Sequence, residues 1–202
     1  INGSNFIDGL NGLLTGYLIM VLYSLIYINN LNVEIYLIDI ENVEIILFSL
    51  ILFFIFNISG SIYLGDSGSY LISILLGTLL IKFYLINPNI SPFYVALLLW
   101  YPAFENLFSL IRRIHNKKNI SKPDNHHLHQ LIFMYFKSRN FLSFKNLNPI
   151  SSIAILFFNI PSFLIANNLP TKSSTLILVL IINIFLYLSI YGFLVKYLKI
   201  KK

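Results

Sequence analysis

The fold class this sequence predicts is all-α, a polytopic membrane helix bundle with about six transmembrane helices, and three observations carry it. Of the 202 residues 57% are hydrophobic and 11% charged, with 18 Phe and 13 Tyr, and the mean hydropathy is +0.77, well beyond what a soluble core of this size requires. The apolar residues gather into runs close to the roughly 20 helical residues that cross a hydrocarbon core. The cations are confined to a few places, as the topology of a membrane protein requires.

In chain order the expected spans are Leu10 to Ile28, Val43 to Ser59, Ser69 to Ile86, Pro92 to Ile111, Ile150 to Ala166 and Thr175 to Val195. Helices follow rather than strands, because each segment must satisfy its own backbone where no water reaches. Twelve of the 14 Lys and Arg lie in two places: Arg112, Arg113, Lys117, Lys118, Lys122, Lys137, Arg139 and Lys145, then Lys196, Lys199, Lys201 and Lys202. A cytoplasmic C-terminus then puts the His-rich segment, the Asn57 to Ser67 turn and residues 1–9 on the cytoplasmic side of a plasma membrane. The Asn29 to Asn42 loop, with Glu34, Asp39 and Glu41, faces the other side. The organisation expected is one membrane domain over 1–202: four spans within 1–114, a His/Arg/Lys loop over 115–148 and two spans within 149–202. Its polar motifs all converge on one face.

The composition also excludes classes. There is no Cys, hence no disulfide framework and no thiol chemistry. The net charge of +6 sits beside apolar spans, so it reads as a topological signal and membrane-lipid contact, with no nucleic-acid partner. The chain starts Ile1-Asn2-Gly3 with no basic n-region and no cleavage site, which is expected of a chain that begins inside a longer polypeptide.

Three polar motifs stand out. In the first, residues 2–12, Asn5, Asp8 and Asn11 would share a face if the stretch were helical, whereas Asp8-Gly9 alone suits a turn. The second, Gly65-Asp66-Ser67-Gly68-Ser69, directly precedes an apolar run. Asp66 or Ser67 there could cap a helix, and a helix start with small residues and a carboxylate also suits a phosphate and a divalent cation. The third, Lys122 to Leu131, holds His126, His127 and His129. A closed zinc site is incomplete without Cys, while Arg112, Arg113 and Lys122 with the two spaced histidines would make a diphosphate clamp. His115 has no patterned neighbour and reads as solvated.

Asn-Phe-Ile-Asp-Gly-Leu-Asn-Gly (5–12), Gly-Asp-Ser-Gly-Ser (65–69), Pro-Ala-Phe-Glu-Asn (102–106) running into Arg112-Arg113, and Pro-Asp-Asn-His-His-Leu-His-Gln-Leu (123–131) resemble, in this order and spacing, glycosyltransferase family 4, the polyprenyl-phosphate N-acetylhexosamine-1-phosphate transferases. The His-Leu-His form resembles the GlcNAc-1-phosphate branch. The resemblance implies a membrane enzyme that moves a sugar phosphate from a UDP-sugar to polyprenyl phosphate at the cytoplasmic face, in cell-envelope polysaccharide synthesis. It also implies Mg2+, with Mn2+ as the alternative ion, and a homodimer as the candidate assembly. The family's paired-aspartate motif would precede Ile1. The usual second Asp of the first motif is Asn11 here, the Asp usual after the membrane Pro is Glu105, and the last His of the loop pattern is Gln130.

Phosphoryl transfer from a diphosphate needs a divalent cation, cations against the growing charge and little covalent help. The expected catalytic residues are Asp66, as metal ligand, and Asp8, as an orienting carboxylate. The expected substrate-binding residues are Asn5, Asn11, Arg112, Arg113, His127 and His129. The competing classes are a non-catalytic scaffold or transporter, and an inactive fragment of the transferase. Transporters place ionisable groups at the midplane and show repeats, whereas these spans are nearly uncharged, Glu105 being the main exception.

Overall fold

The computed structural model describes residues 2–31, 35–37, 40–117, 126–139 and 144–199. These form helices α1 (Asn2–Ile7), α2 (Leu13–Leu31), α3 (Ile40–Ile58), α4 (Gly65–Ile86), α5 (Pro92–Leu98), α6 (Trp100–His115), α7 (Leu128–Ser138), α8 (Phe144–Asn168) and α9 (Ser173–Tyr197), and no strand among the described residues. Within them α2, α3, α4, α8 and α9 are each long and apolar enough to cross a membrane, and α5 with α6 passes the same test as a bent pair. The chain is an integral membrane protein of helical architecture, with the expected six crossings if the bent pair counts as one.

The fourth span is not the straight helix the apolar run suggested, because α5 and α6 meet at 72°. Pro102 has no N–H to give the Leu98 carbonyl and its ring crowds that group. The chain therefore breaks at Leu99, with φ −107° and ψ 5°, and α6 restarts with Pro102 in its first turn, where no donor is needed. The first span also starts later than Leu10. Gly12 adopts φ +81°, a conformation an L side chain resists, and α2 begins at Leu13.

Helix α2 is the buried axis of the bundle, with Leu13, Leu14, Val21, Leu25 and Ile28 almost wholly enclosed. It packs on α3 and α8, and Tyr17 Oη donates to the Leu98 carbonyl at 2.9 Å, tying it to the α5–α6 break. By contrast α3, α4 and α9 expose Phe48, Leu71, Leu85, Ile181 and Phe185, the large apolar surface that a helix presents to lipid.

Hydrogen bonds sort the connections into two ends. At one end Asn87 exchanges bonds of 2.8 Å with the Tyr36 backbone in both directions, and Ser91 N–H donates to the Pro170 carbonyl at 3.0 Å. At the other, Asn57 Oδ1 accepts from the Gly12 N–H at 2.8 Å and from Thr15 Oγ1 at 3.1 Å, while Asn57 Nδ2 donates to the Ile62 carbonyl at 2.9 Å. That second end holds every polar motif of the described chain.

The segment expected as a loop over 115–148 contains ordered helix: α7 lies wholly within it and α8 begins at Phe144. The reason is amphipathic patterning. Leu128 and Leu131 turn into the core while Lys137 and Ser138 stay exposed, and a helix that can bury one stripe on α8 and α9 gains that burial.

Candidate functional site

The first polar motif forms a short helix followed by turns. Helix α1 ends at Ile7 and the Asp8 N–H closes it by donating to the Ser4 carbonyl at 3.2 Å. Asn5, Asp8 and Asn11 therefore do not share one helical face; Asp8-Gly9 is a turn, as the spacing allowed. Asn5 Nδ2 donates to Tyr70 Oη of α4 at 2.9 Å, and the Asn11 N–H donates to Asn148 Oδ1 of α8 at 2.8 Å.

The second motif lies inside α4. Neither Asp66 nor Ser67 is the N-cap: Leu64 holds that position with no side-chain cap bond, and Asp66 sits in the first helical turn. The backbone N–H groups of a first helical turn and the positive end of the helix dipole lie on the side of its carboxylate. Asp66 is exposed and Asp8 half-buried, and the two are close enough to interact. Burial, and then the Asp66 charge, push the Asp8 carboxyl up from 3.8 to about 6.

The third motif is drawn inward. His127 is the N-cap of α7 without a side-chain cap bond, and Gln130 Oε1 accepts from the His127 N–H at 3.2 Å. His127 Nδ1 lies 3.0 Å from Glu105 Oε1, which also accepts the Leu128 N–H at 3.2 Å. Rings of His127 and His129 stack with centroids 5.4 Å apart and 6° between planes, and Phe6 of α1 lies 5.3 Å from His127. His129 is fully buried and neither ring nitrogen has a hydrogen-bond partner. Burial pushes its imidazole down to about 4, against the opposing pull of the Glu105 carboxylate. Its Nε2 points at the first motif, 2.8 Å from where a β-carbon on Gly9 would stand.

Arg112 braces the scaffold. Its guanidinium donates to the His126 carbonyl, to Tyr191 Oη of α9 and to Ser109 Oγ at 3.3 Å, so it ties the start of α7 to α6 and α9. Arg113 is buried and His115 exposed. Lys122 and Asp124, expected beside the histidines, lie outside the described residues.

The structure thus brings Asp8 to Asp66, and Gly9 to His129 with His127 stacked on that ring, while Asn5 and Asn11 flank the turn through Tyr70 and Asn148. Among the described residues no three His, Cys, Asp or Glu side chains are close enough to enclose a metal ion. Two mutually repelling carboxylates, one of them exposed, are the donor set that suits Mg2+, which keeps several waters and shares one or two carboxylates with substrate phosphates. Sequence reasoning did not place Glu105, Asn57 or Tyr70 at the site. Glu105 had a signal, as the ionisable residue standing out within the spans; the other two had none.

Residues 1–84 match the family model described as Glycosyl transferase family 4. The chain is 30% identical over 158 residues, 78% of its length and 46% of the relative's, to the undecaprenyl-phosphate alpha-N-acetylglucosaminyl 1-phosphate transferase of Thermotoga maritima. It is 32% identical over 138 residues, 66% of its length and 37% of the relative's, to a Bacillus subtilis protein named "Probable undecaprenyl-phosphate N-acetylglucosaminyl 1-phosphate transferase". The matches therefore span less than half of either relative. No solved structure matches significantly. With four motifs in the family's order and these matches, the chain belongs to glycosyl transferase family 4.

Proposed function

We propose that this chain carries the phosphate-handling face of a polyprenyl-phosphate sugar-1-phosphate transferase. The donor is a UDP-sugar, an N-acetylhexosamine by the names of the relatives, the acceptor is polyprenyl phosphate, and the products are a lipid-diphosphate-sugar and UMP. The face is cytoplasmic, on the bias of the cations, and the pathway class is cell-envelope polysaccharide synthesis.

The observation that carries the reading is the Asp8–Asp66 pair beside a helix N-terminus, with the unpartnered His129 facing the same turn. Asp66, with Asp8 beside it, would hold Mg2+, which when bound neutralises phosphate oxygens. Asp8 and Asn5 orient the donor over the Gly9 turn. His127 and His129 face the diphosphate from α7, and Arg112 holds that helix start in place. An oxygen of the lipid phosphate attacks the phosphorus that bears the sugar, the bond from that phosphorus to the bridging oxygen breaks, and UMP leaves carrying that oxygen.

Asp66→Asn in the purified protein tests this. Asp66 is not the helix cap, so a role in α4 alone leaves the variant active. The proposal expects transfer to fall on the order of a thousandfold or more, with membrane insertion intact and melting no lower. Near-normal transfer would overturn it.

A further inference from the structure

Glu105 is a carboxylate with 1% of its surface exposed, inside the bent span. An isolated charge there is costly, and an apolar residue of the same volume would pack at less expense. Its hydrogen bonds run to the start of one other helix. From the start of α7, His127 Nδ1 and the Leu128 N–H meet its Oε1 at 3.0 and 3.2 Å. The Tyr101 and Tyr187 hydroxyls of α6 and α9 lie near enough to feel the carboxylate's charge but make no hydrogen bond to it, and its Oε2 has no hydrogen-bond partner among the described residues.

The chemistry of that contact fixes a tautomer. A carboxylate only accepts, and imidazole is the stronger base of the two, so the proton on the Nδ1–Oε1 line sits on Nδ1. The ring is held in plane by the stack with His129, and the His127 backbone N–H is taken by Gln130. The atom left to offer is Nε2.

We propose that Glu105 is a positioning residue for His127, fixing its tautomer and ring direction so that Nε2 is the atom presented to the phosphate groups of the nucleotide donor. The role in substrate binding rests on the proposed transfer reaction; the tautomer does not. A phosphate oxygen at Nε2 needs an N–H there, so the bound ring carries a proton on both nitrogens, and Glu105 is its counter-charge.

The test has two arms on the same protein in lipid nanodiscs. In the first, nitrogen NMR on 15N-histidine-labelled protein, with the His127 signal identified by its loss in His127→Gln, reads the neutral ring directly. Wild type should show Nδ1 protonated and Nε2 bare. In Glu105→Leu the ring should move toward the Nε2–H form that free histidine prefers. A bare Nδ1 in wild type overturns the proposal.

In the second arm, Glu105→Leu should raise the KM for UDP-sugar about tenfold, equivalent to about 1.4 kcal/mol. Combined with His127→Ala it should do no more than His127→Ala alone, because one residue acts through the other. Glu105→Gln keeps an acceptor in place and leaves the fold intact; it should recover most of the lost affinity. Multiplying losses, or a Gln variant as impaired as Leu, overturns the positioning role. If His127→Ala leaves KM unchanged, substrate binding by this ring is refuted while the NMR result still decides the tautomer.

Discussion

His129 lies so close beneath Gly9 that a β-carbon added there would stand 2.8 Å from Nε2. The ring is fully buried and stacked on His127, which limits its retreat. Gly9→Ala should therefore lower stability by about 1–3 kcal/mol, the range for overpacking, and reduce transfer as α1 and α7 are forced apart. Thermal unfolding in detergent and a transfer assay measure both; an unchanged melting temperature would show that the turn has room.

Asn57 joins three segments at the site end through its bonds to Gly12, Thr15 and Ile62. Asn57→Leu leaves two donors and an acceptor unmet in a mostly buried place, each worth roughly 1–3 kcal/mol when fully buried. The expected loss is roughly 2–4 kcal/mol, read as a lower melting temperature. A loss below about 1 kcal/mol would mean that water replaces the side chain.

Asp8 gives a pH signature. Its carboxyl rises from 3.8 to about 6 on folding, through burial and then through Asp66. Between those values the native state holds a proton that the unfolded chain releases, so the group's contribution is favourable at low pH and is lost as pH rises through about 6. Asp8→Asn should therefore raise the melting temperature by about 2–4 °C above pH 7 and have no effect near pH 3, while transfer is lost. Differential scanning across pH checks the sign; stabilisation confined to acid would contradict it.

Much of this was legible from the chain alone. The span count followed from run length, and the convergence of Asp8, Asp66 and the histidines at one end followed from threading those spans. Three features were not legible, for physical reasons. Periodicity could not show the 72° break, because an apolar run reads alike in one helix or two, although Pro102 marks where it falls. Spacing suggested that His127 and His129 line an anion clamp in a polar loop and could not show that both are buried, where a neighbouring carboxylate and a ring stack replace solvent. The links Asn57–Gly12 and Asn5–Tyr70 join residues far apart in sequence, which local spacing cannot pair.

Orientation is directly measurable in a chain with no native cysteine. Cysteines at Asn116 and Lys172 should label from opposite sides, with Lys172→Cys reached from outside intact cells and Asn116→Cys only after permeabilisation. Outside labelling of Asn116→Cys would reverse the topology.

The central claim is that a sugar phosphate, and not a sugar, moves onto a lipid phosphate. The direct measurement supplies the purified protein with Mg2+, undecaprenyl phosphate and UDP-N-acetylglucosamine labelled in the sugar, and identifies both the nucleotide released and the labelled lipid. The account predicts UMP in one-to-one yield with a labelled lipid diphosphate, and neither product from Asp66→Asn. Release of UDP with a labelled lipid monophosphate, or no labelled lipid from folded protein, would contradict it.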